Sequence, residues 1–149
     1  MNRLHVHISV DDLERSIGFY TKLLGAEPTV LKDDYAKWRL DDPSLNLAIS
    51  MRPGASPGIN HLGIEADSPA EFDALTARLS TAEVPTFDEI NTSCCYAVSN
   101  KTWVGDPSGV RWETFFTHRD TMTYRHSDST PSLNLQESQA HNSSVSRCC

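Results

Sequence analysis

Two stretches of the chain alternate apolar and polar residues with a period of two, then change to a helical period. In the first, Leu4, Val6, Ile8 and Val10 make one apolar face, and His5, His7 and Ser9 make the other. In the second, Leu62, Ile64 and Ala66 are the apolar face, opposite His61, Gly63 and Glu65. Both patterns predict strands. Behind them come apolar residues at helical spacing: Leu13, Ile17, Tyr20 and Leu24 after the first, Phe72, Leu75 and Leu79 after the second. The first helix is entered through Asp11 and Asp12. The second opens with Ser68 as N-cap, Pro69 at the first helical position and Glu71 placed to close a capping box. Each apolar strand face must pack beneath its helix, so each histidine face points the other way.

The two stretches are copies of one another. HVHISVDDLERSIGFYTKLLGAE (5–27) lies over HLGIEADSPAEFDALTARLSTAE (61–83) without a gap: His5 meets His61, Ile8 meets Ile64, Phe19 meets Leu75 and Leu23 meets Leu79. A repeat of this length decides the architecture. Short strand-like runs follow each helix, YAKWRL and LNLAISM in the first half, then CCYAVS, KTWV and VRWETFF in the second. The Gly- and Pro-rich link RPGASPG (52–58) separates the halves. The prediction is an α+β fold of two βαβββ modules, about 1–52 and 58–118, whose mixed sheet curves around a cleft. Residues 119–149 are rich in Ser, Thr and Asn with little periodicity, which predicts a disordered tail.

Composition narrows the function. At 149 residues the chain is long enough for one domain with a real core. Its net charge of −7 argues against nucleic acid and against an anionic membrane surface, both of which reward basic patches. No apolar run approaches a membrane span, and the N-terminus alternates where a signal peptide would be continuously apolar. A cytoplasmic protein is predicted, with Cys94, Cys95, Cys148 and Cys149 reduced.

The repeat also points to a metal. Taken alone, His5 and His61 are ordinary histidines and Glu113 an ordinary strand carboxylate. Two strands related by a pseudo-twofold axis, however, bring their first histidines together on one concave face. Asp106-Pro107-Ser108-Gly109 is a tight turn leading into a last strand, on which Arg111, Glu113 and Phe115 share a face. Glu113 beside His5 and His61 completes two imidazoles and one carboxylate, the facial set that leaves coordination positions open on Fe(II). His7, on the same face, is the rival ligand.

The paired modules and the DPSGxxxE turn and strand resemble the vicinal oxygen chelate superfamily, which includes glyoxalase I, bleomycin and fosfomycin resistance proteins and extradiol dioxygenases. The resemblance covers about Leu4 to Phe116 and implies His5, His61 and Glu113 as ligands. The fourth ligand of glyoxalase I would fall near Ala48 or Ile49, neither of which binds metal, so the resemblance implies a three-ligand site. Within the superfamily, ERSIGFYTKLLGAEP, YAKW, NHLGIE and TSCCYA…KTWV are similar to the organoarsenical carbon–arsenic lyases and cadmium-induced proteins. That implies an Fe(II)-dependent dioxygenase for arsenical detoxification, with a trivalent organoarsenical and dioxygen as small-molecule partners, acting as a monomer or homodimer. It also implies that Cys94 and Cys95 bind the arsenic. Adjacent strand residues point to opposite faces, so the pair must sit on a turn or loop, and EINTSCC is suitably turn-prone. Tyr96, Lys101 and Trp103 flank the thiols and would shape that loop. The alternatives are a fosfomycin-type thiol transferase, which leaves the thiols without a role, and a non-catalytic cadmium or arsenic binder.

Overall fold

The computed structural model describes residues 2–94 and 96–120. Cys95, the segment 121–149 and the Cys148-Cys149 pair within it lie outside the described residues. The chain runs β1 (Arg3–Ser9), α1 (Leu13–Leu24), β2 (Val30–Lys32), β3 (Tyr35–Leu40) and β4 (Leu45–Ser50), then repeats as β5 (Gly58–Glu65), α2 (Pro69–Thr81), β6 (Phe87–Cys94), β7 (Ala97–Gly105) and β8 (Arg111–Asp120). This is the α+β pair of βαβββ modules that the repeat predicts.

Local chemistry sets the helix ends. Asp12 caps α1 by accepting from the Arg15 amide at 2.9 Å, and Gly25 ends it with a left-handed φ of 65°. At α2 the Ser68 hydroxyl accepts from the Glu71 amide at 3.2 Å. The Glu71 carboxylate accepts in return from the Asp67 amide at 2.9 Å, one residue earlier than in a standard capping box. The helices cover one side of the sheet. Leu13 on α1 packs on Ala36, Trp38, Leu47 and Ile49, and Phe72 and Leu75 on α2 pack on Ala66 beside Ile64 and Phe116.

All eight strands form one sheet in the order β2-β3-β4-β1-β5-β8-β7-β6, symmetric about an antiparallel β1–β5 seam. Each module contributes a parallel pair next to the seam, β1 with β4 and β5 with β8. The two ends of the sheet come back together. The Tyr96 hydroxyl, after β6, donates to Asp34 between β2 and β3 at 2.8 Å, and the Tyr35 and Tyr96 rings lie 5.7 Å apart. This curling makes the histidine face the interior one: Arg3, His5, His7 and Ser9 are buried, while Leu4 on the helix side is 48% exposed.

The second module departs from the sequence reading along β6 and β7 and at the end of β8, which runs to Asp120 where a tail is expected from residue 119. Residues 87–94, read as partly turn-prone, form edge strand β6, and AVS and KTWV join into the single strand β7. The turn-forming residues appear instead as a bulge. Asn91 takes φ of 52°, its amide bonds the Asn100 side chain at 3.0 Å, and the register shifts between Glu89 and Thr92. A strand one residue out of step is tolerated here because β6 has a neighbour on one side only.

Gly63 has a specific structural job. It sits in register between His5 on β1 and Glu113 on β8. A Cβ at this position would meet the Glu113 carbonyl oxygen at 2.4 Å, a backbone atom with little room to yield. The missing side chain lets β5 and β8 approach and leaves open the space between His5 and Glu113. Gly63→Ala is expected to lower stability by about 1–3 kcal/mol through this overlap, read as a lower midpoint in denaturant unfolding. An unchanged midpoint would show that β8 moves aside freely.

Candidate metal centre

Three strands supply the converging side chains. His5 comes from β1, His61 from β5 and Glu113 from β8, and their ligand atoms all lie within 4.8 Å of one another. His5 Nε2 is 3.2 Å from His61 Nε2, and Glu113 Oε2 is 3.8 Å from the first and 3.4 Å from the second. All three are buried.

The outer contacts decide where the protons are. His5 Nδ1 lies 3.0 Å from the Asn46 carbonyl oxygen, which can only accept, so Nδ1 carries the hydrogen. His61 Nδ1 meets Asn60 Oδ1 at 2.9 Å, and the Asn60 amide nitrogen faces the Ser9 hydroxyl at 3.5 Å, which fixes the same tautomer. In the neutral rings both Nε2 atoms then present lone pairs to each other and to a carboxylate oxygen. Such a trio repels itself unless a cation sits among it. Two histidines oriented through Nδ1 and one carboxylate are a donor set that fits a divalent transition metal.

Charge at the site follows from burial. Desolvation is the largest influence on His5 and lowers its pKa to about 4, against the opposing pull of Glu113. His61 and His7 are lowered for the same leading reason. Burial by itself would raise the Glu113 carboxyl, but the adjacent Lys101 ammonium and the His61 contact outweigh it and hold the group well below the usual range. The site is therefore two neutral imidazoles and one carboxylate at neutral pH, ready to bind without first losing protons.

Lys101, in the strand-like run KTWV, is expected from the sequence to flank the thiols and shape their loop. It is buried instead, and its ammonium bonds Glu113 Oε1, leaving Oε2 directed at the histidines. Trp103 likewise packs edge-on against the His61 ring at 5.1 Å and donates to Glu89 at 2.9 Å. Of the three flanking residues, Tyr96 alone stays at the hairpin. Lys101, Asn60, Asn46 and Gly63 all support the centre, and strand alternation offered the one clue to them. His7 lies apart from the donor set: its Nε2 meets the Ser50 hydroxyl at 2.9 Å. Ala48, opposite His7 in the parallel pairing of β4, occupies the place in the first module that Glu113 holds opposite Gly63 in the second.

The centre opens into a cavity of about 40 Å³ walled by both modules, with Tyr35, Ala48 and Phe115 among its lining. The β6–β7 hairpin closes around it. Cys94 ends β6 and pairs with Ala97, and Tyr96, just ahead of β7, takes φ of 62° as tight hairpins require.

Residues 3–114 match the family model of the Glyoxalase/Bleomycin resistance protein/Dioxygenase superfamily. A trivalent organoarsenical cleaving enzyme of Bacillus sp. (strain MD1) is 44% identical over 119 residues, covering 78% of this chain and 74% of that one. The cadmium-induced protein CadI of Mycobacterium tuberculosis (strain ATCC 25618 / H37Rv) is 41% identical over 132 residues, covering 86% and 87%. Among solved structures, an extradiol ring-cleaving dioxygenase from B. fuscum shares the fold, with a TM-score of 0.58 and 20% identity over 80% of this chain and 33% of that one. Duplicated modules, two histidines meeting across the seam beside a glutamate from β8, and these matches lead to one conclusion: the chain belongs to the glyoxalase/bleomycin resistance/dioxygenase superfamily.

Proposed function

We propose that the protein is an Fe(II)-dependent enzyme that breaks the carbon–arsenic bond of trivalent organoarsenicals, releasing arsenite and an oxidised carbon fragment, in arsenical detoxification. The observation that carries this reading is the buried His5–His61–Glu113 donor set, beside which the β6–β7 ladder ends with Cys94 paired to Ala97, a residue of the cleft wall. Relatives named for trivalent organoarsenical cleavage, at 33–44% identity, support it.

Capture and chemistry fall to different residues. Trivalent arsenic is soft and thiophilic, so the Cys94 and Cys95 thiolates replace its exchangeable oxygens and leave the carbon group as third substituent. Held at a hairpin tip, the arsenic enters the cleft with that group turned inward, and binding becomes positioning. Iron at the three-ligand site would supply the activation of dioxygen. His5 and His61 present Nε2 because Asn46 and Asn60 hold their Nδ1 hydrogens. Lys101 keeps Glu113 ionised and engages one of its oxygens, so the other is left for the metal. Tyr96, its hydroxyl on Asp34, ties the hairpin to the opposite rim.

A sequestering role, suggested by the relatives named for cadmium induction, needs the same ligands but no turnover. Oxygen uptake by iron-loaded, reduced protein given a methyl- or phenyl-substituted trivalent arsenical separates the two. Uptake with release of arsenite supports the enzyme, and tight binding without it supports sequestration.

Cys94→Ser and Cys95→Ser are each expected to abolish cleavage while iron content stays at the wild-type level, because a serine hydroxyl is neither charged nor soft at neutral pH. Near wild-type rates in both would remove the thiols from the mechanism. His5→Ala, His61→Ala and Glu113→Ala are expected to lower iron affinity by about 100-fold or more, measured by anaerobic titration. Iron retention by His5→Ala, with loss on His7→Ala, would reassign the ligand.

Acid should act late. His5 is neutral in the folded chain down to about pH 4, whereas an unfolded histidine protonates near 6.5. Its folded pKa is the lower one, so its contribution to stability is full above about 6.5 and is lost as pH falls toward 4. Iron is expected to stay bound at pH 6 and to leave between about pH 5 and 4. Release centred near 6.5 would mean that the histidines are not desolvated.

A further inference from the structure

The metal centre sits in an enclosure whose charge runs against that of the chain. The protein carries a net charge of −7, yet among the described residues lining the cavity Glu113 is the one acid, while Lys37 and Lys101 are both basic. Lys101 touches the donor set directly. Its Nζ bonds Glu113 Oε1, and the other carboxylate oxygen lies 3.4 Å from His61 Nε2 and 3.8 Å from His5 Nε2. Register puts it there: Lys101 pairs with Phe115 across the β7–β8 ladder, which makes it the diagonal neighbour of Glu113 on one face. The residue is 5% exposed, and its ammonium stands 5.8 Å from the Phe115 ring centre and 5.9 Å from that of Trp103.

We propose that Lys101 holds the bound iron in its ferrous state, as a positioning residue that acts through Glu113. This rests on the iron-centre reading above and assigns that centre its resting oxidation state. The ammonium cancels the one anionic ligand, so the protein's share of the centre is neutral. A divalent ion then keeps its whole charge in a dry enclosure of about 40 Å³.

Loss of one electron from Fe(II) to dioxygen yields Fe(III) and superoxide, and it adds a positive charge close to the ammonium. A fixed cation in a poorly screened site opposes that added charge. The same lysine engages Oε1, so ferric iron, which demands hard anionic donors, has one carboxylate oxygen to bind. Both effects raise the reduction potential. A centre so poised survives in air until substrate arrives, whereas an unprotected one is oxidised before capture. If Lys101 served only to let Glu113 be buried, it would change the stability of the metal-free chain and leave the potential alone.

The test is the reduction potential of the iron-loaded protein without arsenical, by anaerobic spectroelectrochemical titration. Lys101→Met removes both the charge and the bond, Lys101→Gln keeps a donor for Oε1 without the charge, and Lys101→Arg keeps both. Lys101→Met is expected to shift the ferrous-to-ferric ratio at least about tenfold toward ferric, about 59 mV for a one-electron couple, and to speed oxidation in air. Lys101→Gln should shift it in the same direction and carries the test alone if Lys101→Met does not fold, while Lys101→Arg should restore the potential. Unfolding midpoints of the metal-free forms are read beside the potentials, because a purely structural lysine moves the first and not the second. Equal potentials in wild type and the neutral variants overturn the proposal, and so does a potential that falls as far in Lys101→Arg. Wild type that takes up no iron overturns the centre itself and the proposal with it. Arsenite release plays no part in these readings, so a protected ferrous centre that cleaves nothing keeps the proposal and removes the lyase.

Discussion

The fully buried Glu113 carboxylate faces two imidazole nitrogens whose lone pairs point back at it. Burying a charge and two acceptors together is unfavourable unless positive charge compensates, and the surrounding structure is arranged to provide it. Lys101 reaches in from β7 to one carboxylate oxygen, and the remaining oxygen and both nitrogens define a place for a cation. Asn46 and Asn60 stop the histidines from relieving the strain by rotating or by turning a hydrogen inward. The inward-facing histidine face, the close approach of β5 and β8 at Gly63 and the curled sheet all serve this arrangement.

Duplication gives the centre its frame, and departures from symmetry give it chemistry. His5 and His61 are equivalent residues and meet across the seam. Their neighbours two positions on are not alike: the second module has Gly63, which opens space for the metal, while the first has His7, which fills it. Glu113 answers to Ala48 in the same way, a ligand on one side and a void on the other. Two of the three donor residues thereby belong to the second module, and the first adds His7, Asn46 and Ala48 to the wall of the cleft.

Closure of the cleft is equally asymmetric. The β6–β7 hairpin belongs to the second module, but its tip is fastened to the first through Tyr96 and Asp34. Burial and then the Asp34 bond push the Tyr96 phenol up to about 12, so it remains a donor throughout the physiological range. Lys32 lies over the same ring at 5.4 Å.

Much of this was legible in the order of residues. Alternation and helical spacing established β1, α1, β5 and α2, and the repeat paired His5 with His61 because equivalent strands of a duplicated sheet must lie side by side. Glu113 could be placed on their face from the parity of β8 once the Asp106 turn fixed where that strand begins. Parity says which face a residue takes, however, and nothing about how far its side chain reaches. The role of Lys101 at the carboxylate and the absence of His7 from the donor set depend on distances between strands that sequence does not encode locally. The edge strand β6 was hidden for a related reason, since turn-forming residues there became a bulge once β7 offered a ladder to pair with. Sequence determined the strands, their faces and the ligand types. Tertiary structure decided which of those groups met, because curling the sheet turned its polar face inward and made every buried polar atom find a partner or wait for one.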